Sequence, residues 1–142
     1  EVIDPIQFDE TGRGYAKGQG TRKEAKADVI IRDQGNGQVT INGRTFLNYF
    51  PLVQHRIQIM FPLHFLGMVN RFDLECSVSG GGLSGQSGAV RLATAKALRS
   101  FSDEASVEKM RQAGLLTRDP RLRERKKPGQ KRARKKFTWK KR

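Results

Sequence analysis

A single cysteine, Cys76, leaves the chain no internal disulfide and no Cys-x-x-Cys metal knuckle, a usage that fits a reducing compartment. The two histidines, His55 and His64, stand nine residues apart with neither cysteine nor paired carboxylates at ligand spacing, which argues against a metal centre. Acidic residues number 14 against 28 basic ones and are scattered, so the sequence places no carboxylate pair together for acid–base chemistry. Cys76 lies between Leu74 and Val78 on the apolar side of an alternating run and reads as a buried, inert thiol rather than a nucleophile. The longest apolar stretch, 57–69, is broken by Gln58, Pro62, His64 and Gly67 and falls short of the roughly 18 apolar residues of a membrane span. These absences imply no catalytic residue, no cofactor, no small-molecule substrate and no membrane partner. The opening Glu1-Val2-Ile3-Asp4-Pro5 is neither an apolar signal core nor an Arg-rich transit helix; without an initiating Met it reads as a trimmed start whose targeting segment has been lost.

What the chain does have is charge of one sign at one end. Between Thr117 and Arg142 there are 14 Lys and Arg residues against only Asp119 and Glu124, half of all the basic residues in the protein. The segment carries +12 of the total +14, so the first 116 residues are close to neutral. Too few apolar side chains lie in it to offset the entropy of ordering, and it is expected to become ordered only against a polyanion. Phe137 and the sole tryptophan, Trp139, are interleaved with the cations. That combination joins phosphate neutralisation to flat surfaces for stacking, the chemistry of nucleic-acid binding.

The remaining residues suffice for one two-layer core. Residues 1–20 are polar and glycine-bearing and read as an extended N-terminal lead-in. Ala25, Ala27, Val29 and Ile31 alternate with polar neighbours as one strand face. Asp33-Gln34-Gly35-Asn36-Gly37 then predicts a hairpin whose return strand is Val39-Thr40-Ile41, closed by Asn42-Gly43. Thr45 can cap a short helix ended by Pro51, and a second helix is expected over 53–60. Phe72, Leu74, Cys76 and Val78 predict a core strand. Val90, Ala93, Ala97, Leu98 and Phe101 predict a helix lying close on the sheet, with Arg91 and Arg99 able to reach solvent or RNA. Asp103 caps a last helix with Val107 and Met110 inward and Gly114 at its end. The resulting organisation is an extension (1–20), a globular α/β RNA-binding domain (21–116) and a basic tail (117–142).

Between strand and helix lies Gly80-Gly81-Gly82-Leu83-Ser84-Gly85-Gln86-Ser87-Gly88. Gly80, Gly82 and Gly85 have the dinucleotide spacing, but no strand with a ribose-binding acid follows the helix. The phosphate-loop spacing also fits, yet Gln86 stands where a lysine must reach phosphate. What survives is physical: glycines before a helix expose backbone N–H groups near the positive end of its dipole, a place for an RNA phosphate. A tight turn with no ligand is the alternative.

Read in order, the motifs resemble the universal small-subunit ribosomal protein nine family. They are Gly20-Thr21-Arg22-Lys23, Val39-Thr40-Ile41-Asn42-Gly43-Arg44 with Tyr49-Phe50-Pro51, Phe72-Asp73-Leu74, the glycine run from Gly80 to Ala89, Arg111-Gln112-Ala113-Gly114 with Thr117-Arg118-Asp119, Glu124-Arg125-Lys126-Lys127-Pro128-Gly129, and the terminal Lys141-Arg142. Pro5-Ile6-Gln7-Phe8-Asp9, Met60-Phe61-Pro62-Leu63-His64-Phe65 and the ending 136–142 resemble animal mitochondrial members in particular. The resemblance implies an α/β (α+β) fold, a two-layer sandwich like the second domain of ribosomal protein five, with a long basic C-terminal tail. It implies a non-enzymatic constituent of the small subunit, in the mitochondrial matrix or alternatively in a bacterial-type cytoplasmic ribosome. Its partners would be small-subunit rRNA, P-site tRNA and neighbouring proteins of the subunit head. Carried onto this chain, Arg22, Lys23, Arg118, Arg121, Arg123, Arg125, Lys126, Lys127, Lys131, Arg132, Arg134, Lys135 and Lys136 would bind rRNA. Gly80, Gly81, Gly82, Gly85, Gln86 and Gly88 would lie near RNA phosphate, and Lys140, Lys141 and Arg142 would approach tRNA. A free RNA-binding or RNA-remodelling factor and a phosphate-binding enzyme of the small-molecule kinase-like fold are the other readings the residues allow.

Overall fold

The computed structural model describes residues 3–117. Six strands form one sheet in the order β1-β2-β3-β6-β4-β5, with β1 Gln7–Phe8, β2 Gly14–Arg22, β3 Ala25–Arg32, β4 Val39–Ile41, β5 Arg44–Thr45 and β6 Asp73–Ser79. Helices α1 Phe46–Tyr49 and α2 Val53–Phe65 connect β5 to β6, and α3 Leu83–Leu98 follows β6. A 3-10 turn, Arg99–Phe101, leads to α4 Glu104–Gln112. All pairings are antiparallel except β4 with β6. This is the expected mixed fold with two layers. Ala25, Ala27, Val29, Ile31, Leu74, Cys76 and Val78 are buried toward α3, while Lys26, Asp28, Glu75 and Ser77 on the other face are exposed. No described helix is long and apolar enough to cross a membrane.

The lead-in expected over residues 1–20 is corrected: β1 and most of β2 lie within it, and β2 pairs with β3 over eight of its nine residues, from Tyr15 opposite Arg32 to Arg22 opposite Ala25. Its inward positions are Gly14, Ala16, Gly18 and Gly20, all buried. The alternation is there, but it is written in small residues that carry no hydrophobic signal. Their size has a cause in packing. A Cβ on Gly18 would sit 2.8 Å from the Ala97 backbone nitrogen, and one on Gly20 would sit 2.7 Å from that of Ala93. Glycines on the strand and alanines on the helix thus bring the two backbones together.

The predicted hairpin is also corrected. β3 pairs with β2 and β6, and β4 lies on the far side of β6. A three-residue strand cannot satisfy an eight-residue neighbour, whereas β6 matches β3 over seven residues from Lys26 opposite Ser79 to Arg32 opposite Asp73. The turn residues 33–38 instead fold over the start of β6. Asp73 Oδ1 accepts from the backbone N–H of Asn36 and Gln38 at 2.9 and 3.0 Å, and the Gly35 N–H donates to the Arg71 carbonyl at 2.8 Å. Asn42-Gly43 turns β4 into β5, both at positive φ.

α2 runs past the expected Met60 to Phe65, carrying Pro62 in its last turn. Pro62 and Leu63 are buried there with Ile59, and this packing holds the helix beyond the point where the proline would end it. Thr45 stands at the N-cap of α1 but makes no side-chain cap bond. Asp103 does cap α4, accepting from Ser106 N–H at 2.7 Å, and Val107 and Met110 point inward as the spacing predicts.

Candidate nucleic-acid interface

Ion pairs gather at one end of the sheet. At the end where β2 starts, Asp73 Oδ2 pairs with Arg13 at 2.7 Å and Asp33 with Arg71 at 3.0 Å. Asp9 accepts from Thr11 and Arg13 in the loop before β2. The Arg71 hydrogen bond holds the Asp33 carboxyl below its ordinary range. For Asp73 burial pushes upward, but Arg13 and the amides of Asn36 and Gln38 together outweigh it and lower the pKa. The other end of β2, about 27 Å away at roughly 3.4 Å per residue, carries Arg22 and Lys23.

Lys23 is exposed at φ 55° in the two-residue turn between β2 and β3. The glycine run packs directly on that turn. A Cβ on Gly80 would sit 2.5 Å from the Glu24 carbonyl oxygen, and one on Gly81 3.2 Å from the Ala25 nitrogen. Both glycines have positive φ, 75° and 60°, so two requirements coincide here: left-handed backbone and close approach. Gly82, at φ −100°, is the N-cap of α3 and makes no side-chain cap bond. The Gln86 N–H is already satisfied by the Gly82 carbonyl. The N–H groups of the turn before it lie at the positive end of the helix dipole.

The sequence-predicted glycine residues divide by role. Gln86 is buried and turned inward: its Nε2 donates to the Gly80 carbonyl at 3.0 Å and its Oε1 accepts from the Tyr49 hydroxyl at 2.7 Å. The side chain that stands in the phosphate-loop lysine position therefore holds the turn instead of reaching a ligand. Gly88 leaves room for the Arg22 side chain, which passes across it, and Gly85 makes only ordinary contacts with the β2–β3 turn.

Arg22 and Arg91 meet at a cleft of about 150 Å³ bounded also by Thr21, Gln58, Gly114, Leu115 and Thr117. Burial, and secondarily the charge of Arg22, lowers the Arg91 pKa. Arg91 lies 5.1 Å from the Phe61 ring centroid, and its Nε is enclosed without a hydrogen bond. Sequence reasoning noted that Arg91 can face RNA but did not join it to Arg22. The helical period shows which face Arg91 occupies but not which strand end that face meets. Thr117 in the same cleft is where the basic segment begins, so Arg22, Arg91 and the root of the tail are neighbours. Arg118, Arg121, Arg123, Arg125, Lys126, Lys127, Lys131, Arg132, Arg134, Lys135, Lys136, Lys140, Lys141 and Arg142 lie outside the described residues.

Other candidate groups are otherwise occupied. Cys76 is buried, and burial pushes its thiol up to about 12. His55 packs edge-on against Phe50 with ring centroids 5.9 Å apart. Among the described residues no three His, Cys, Asp or Glu side chains gather as a metal ion would require.

The pattern of the family described as Ribosomal protein S9/S16 matches residues 20–142. A small ribosomal subunit protein uS9m of Mus musculus is 56% identical over 142 residues, spanning this whole chain and 36% of the relative. The protein of the same name from Bos taurus is 57% identical over 141 residues, 99% of this chain and 36% of the relative. A small ribosomal subunit protein uS9 of Rhodopirellula baltica is 46% identical over 129 residues, 91% of this chain and 93% of its own length. The chain thus spans just over a third of the two mammalian relatives.

Proposed function

The chain belongs to the ribosomal protein S9/S16 family, and from that premise we propose that it is a structural, non-enzymatic constituent of the small subunit of the mitochondrial ribosome. Its body would dock on rRNA of the subunit head through Arg22, Lys23, Arg91 and the amide-rich glycine turn. The tail from Thr117 would run onward through the RNA, with Lys140, Lys141 and Arg142 nearest the P-site tRNA. The observation that carries this reading is that Arg22 and Arg91 line one cleft with Thr117. At the start of β2 Asp73 and Asp33 pair with Arg13 and Arg71, while Arg22 and Arg91 share the cleft where the +12 segment begins. An RNA phosphate at the cleft would accept charge-assisted hydrogen bonds from both guanidiniums.

Sedimentation tests the assignment. Tagged protein expressed in mitochondria should travel with the small subunit in a sucrose gradient and stay with it at moderate salt. Protein found only at the top of the gradient would mark it as a free RNA-binding factor.

A further inference from the structure

α2 is apolar on two faces. Ile59, Pro62 and Leu63 are buried in the core. Val53, Ile57, Phe61 and Phe65 follow one another at four-residue spacing on the outer side and are 58, 62, 39 and 38% exposed. A helix that carries a second apolar ridge on its exposed side is one whose outer face is also meant to be covered. The ridge is about 18 Å long at 1.5 Å per residue. An open groove of about 300 Å³, lined by Gln54, Ile57, Gln58, Phe61 and Arg91, runs beside it.

The helices around the ridge carry charge of one sign. No Asp or Glu occurs from residue 34 to 72, nor from 80 to 102, so α1, α2 and α3 contain no carboxylate at all. Arg56 borders one flank of the ridge by helical position. Arg91, with its guanidinium laid over Phe61, borders the other. We propose that this ridge docks an amphipathic helix of a second protein, one with an apolar stripe and acidic residues on both sides of it. A second copy of this chain does not fit, because it would set Arg56 and Arg91 against their like and bring two +14 chains together. RNA fits poorly. Val53 and Ile57 offer no plane for a base to stack on, and covering them with sugar and phosphate would strip water from anions with little return. The inference rests on the ribosomal reading only in expecting the partner to be a subunit neighbour; the chemistry of the ridge stands without it.

Two measurements test it. In the first, fluorescence anisotropy follows binding of the 142-residue chain to a labelled designed helix with leucines at four-residue spacing and glutamates on both flanks, and to its counterpart with lysine flanks. The tail attracts the acidic peptide in every variant, so the comparison that decides is Ile57→Ser/Phe61→Ser against the parent. At least tenfold weaker binding is expected in that variant, with an unchanged melting temperature. Val53→Ser on the same ridge serves if the double variant melts early. Equal affinity of parent and variants, or equal affinity for the two peptides, overturns the proposal. In the second, a benzophenone side chain replaces Ile57 in protein assembled into purified small subunits. An RNase-resistant, protease-sensitive adduct mapping to an acid-rich helix of a subunit protein is expected. Adducts to RNA, lipid or a second copy of the chain, or none, overturn it. Absence of the protein from the subunit would count against the ribosomal assignment, while the peptide measurement would still decide the ridge.

Discussion

The Tyr49 hydroxyl donates a 2.7 Å hydrogen bond to Gln86 Oε1, and through Gln86 it reaches the Gly80 carbonyl. One buried amide thereby couples α1 to the glycine turn that precedes α3. Tyr49→Phe keeps the ring against Phe50 but leaves Oε1 without its donor. A loss of about 1–2 kcal/mol is expected in denaturant unfolding, the cost of a buried acceptor left unpaired. No loss would mean that water replaces the hydroxyl and that the turn is held from elsewhere.

Glycine substitutions should sort by contact rather than by motif. Gly18→Ala and Gly20→Ala drive a methyl into the α3 backbone, which cannot step aside, and each should cost about 3 kcal/mol or more. Gly82→Ala should cost much less, about 1 kcal/mol or under, since its φ is −100° and no atom lies within 4 Å of the added Cβ, so only the preference of an N-cap for Gly over Ala is lost. Thermal unfolding of the three variants checks the order. A loss at Gly82 as large as those at Gly18 and Gly20 would show that packing does not set the order.

The same residues explain what was legible in the sequence. Alternation of large apolar side chains marked β6 and the inner face of β3, and helical spacing with the Asp103 cap marked α3 and α4. β2 was missed because Gly14, Ala16, Gly18 and Gly20 answer to α3 and have no apolar bulk of their own. The β3 hairpin was misassigned because turn chemistry at 33–37 specifies a reversal but not the partner that follows it. For the candidate site, the cationic tail was evident from composition and Arg22-Lys23 from the motif resemblance. The nearness of Arg22 to Arg91 depends on strand order and on Gly88 making room, and neither is local information.

Asp73 gathers three donors at the start of β6, so Asp73→Asn removes a charge-assisted bond from Arg13 and should cost about 2 kcal/mol near neutral pH. Its folded pKa lies below the ordinary 3.8. The stabilisation is therefore full above that value and disappears as pH falls through the lowered folded one. Melting curves should converge for parent and variant in strong acid. A constant gap down to the lowest pH would assign the effect to packing.

Cys76 gives the opposite dependence. Its thiol has an ordinary value of 9.0 and a folded value of about 12, so below pH 9 both states keep the proton and stability is unaffected. Between 9 and 12 only the unfolded chain releases it, and stability falls by up to about 1.4 kcal/mol per pH unit. Subtracting the profile of Cys76→Ala isolates this slope from that of lysine and tyrosine. In the native state the thiol should resist iodoacetamide at pH 8. Rapid alkylation without unfolding would mean that the strand opens locally.

The final prediction separates the body from the tail as RNA-binding surfaces. Each cation that neutralises a phosphate releases counterions, and the log–log dependence of affinity on salt steepens by about 0.7 to 0.9 per contact. If about eight tail cations meet RNA, the intact chain should show a slope of roughly −6 to −7 from them alone. A chain ending at Thr117 should lose most of that. Arg22→Gln with Arg91→Gln, in the intact chain, should flatten the slope by about 1.5, two contacts' worth. The fold should survive, because neither guanidinium is part of the apolar core. Filter binding to a fragment of small-subunit head rRNA over a range of potassium concentrations gives both slopes. An unchanged slope in the double variant would remove the Arg22–Arg91 cleft from the interface. An unchanged slope in the shortened chain would move the RNA surface from the tail to the body.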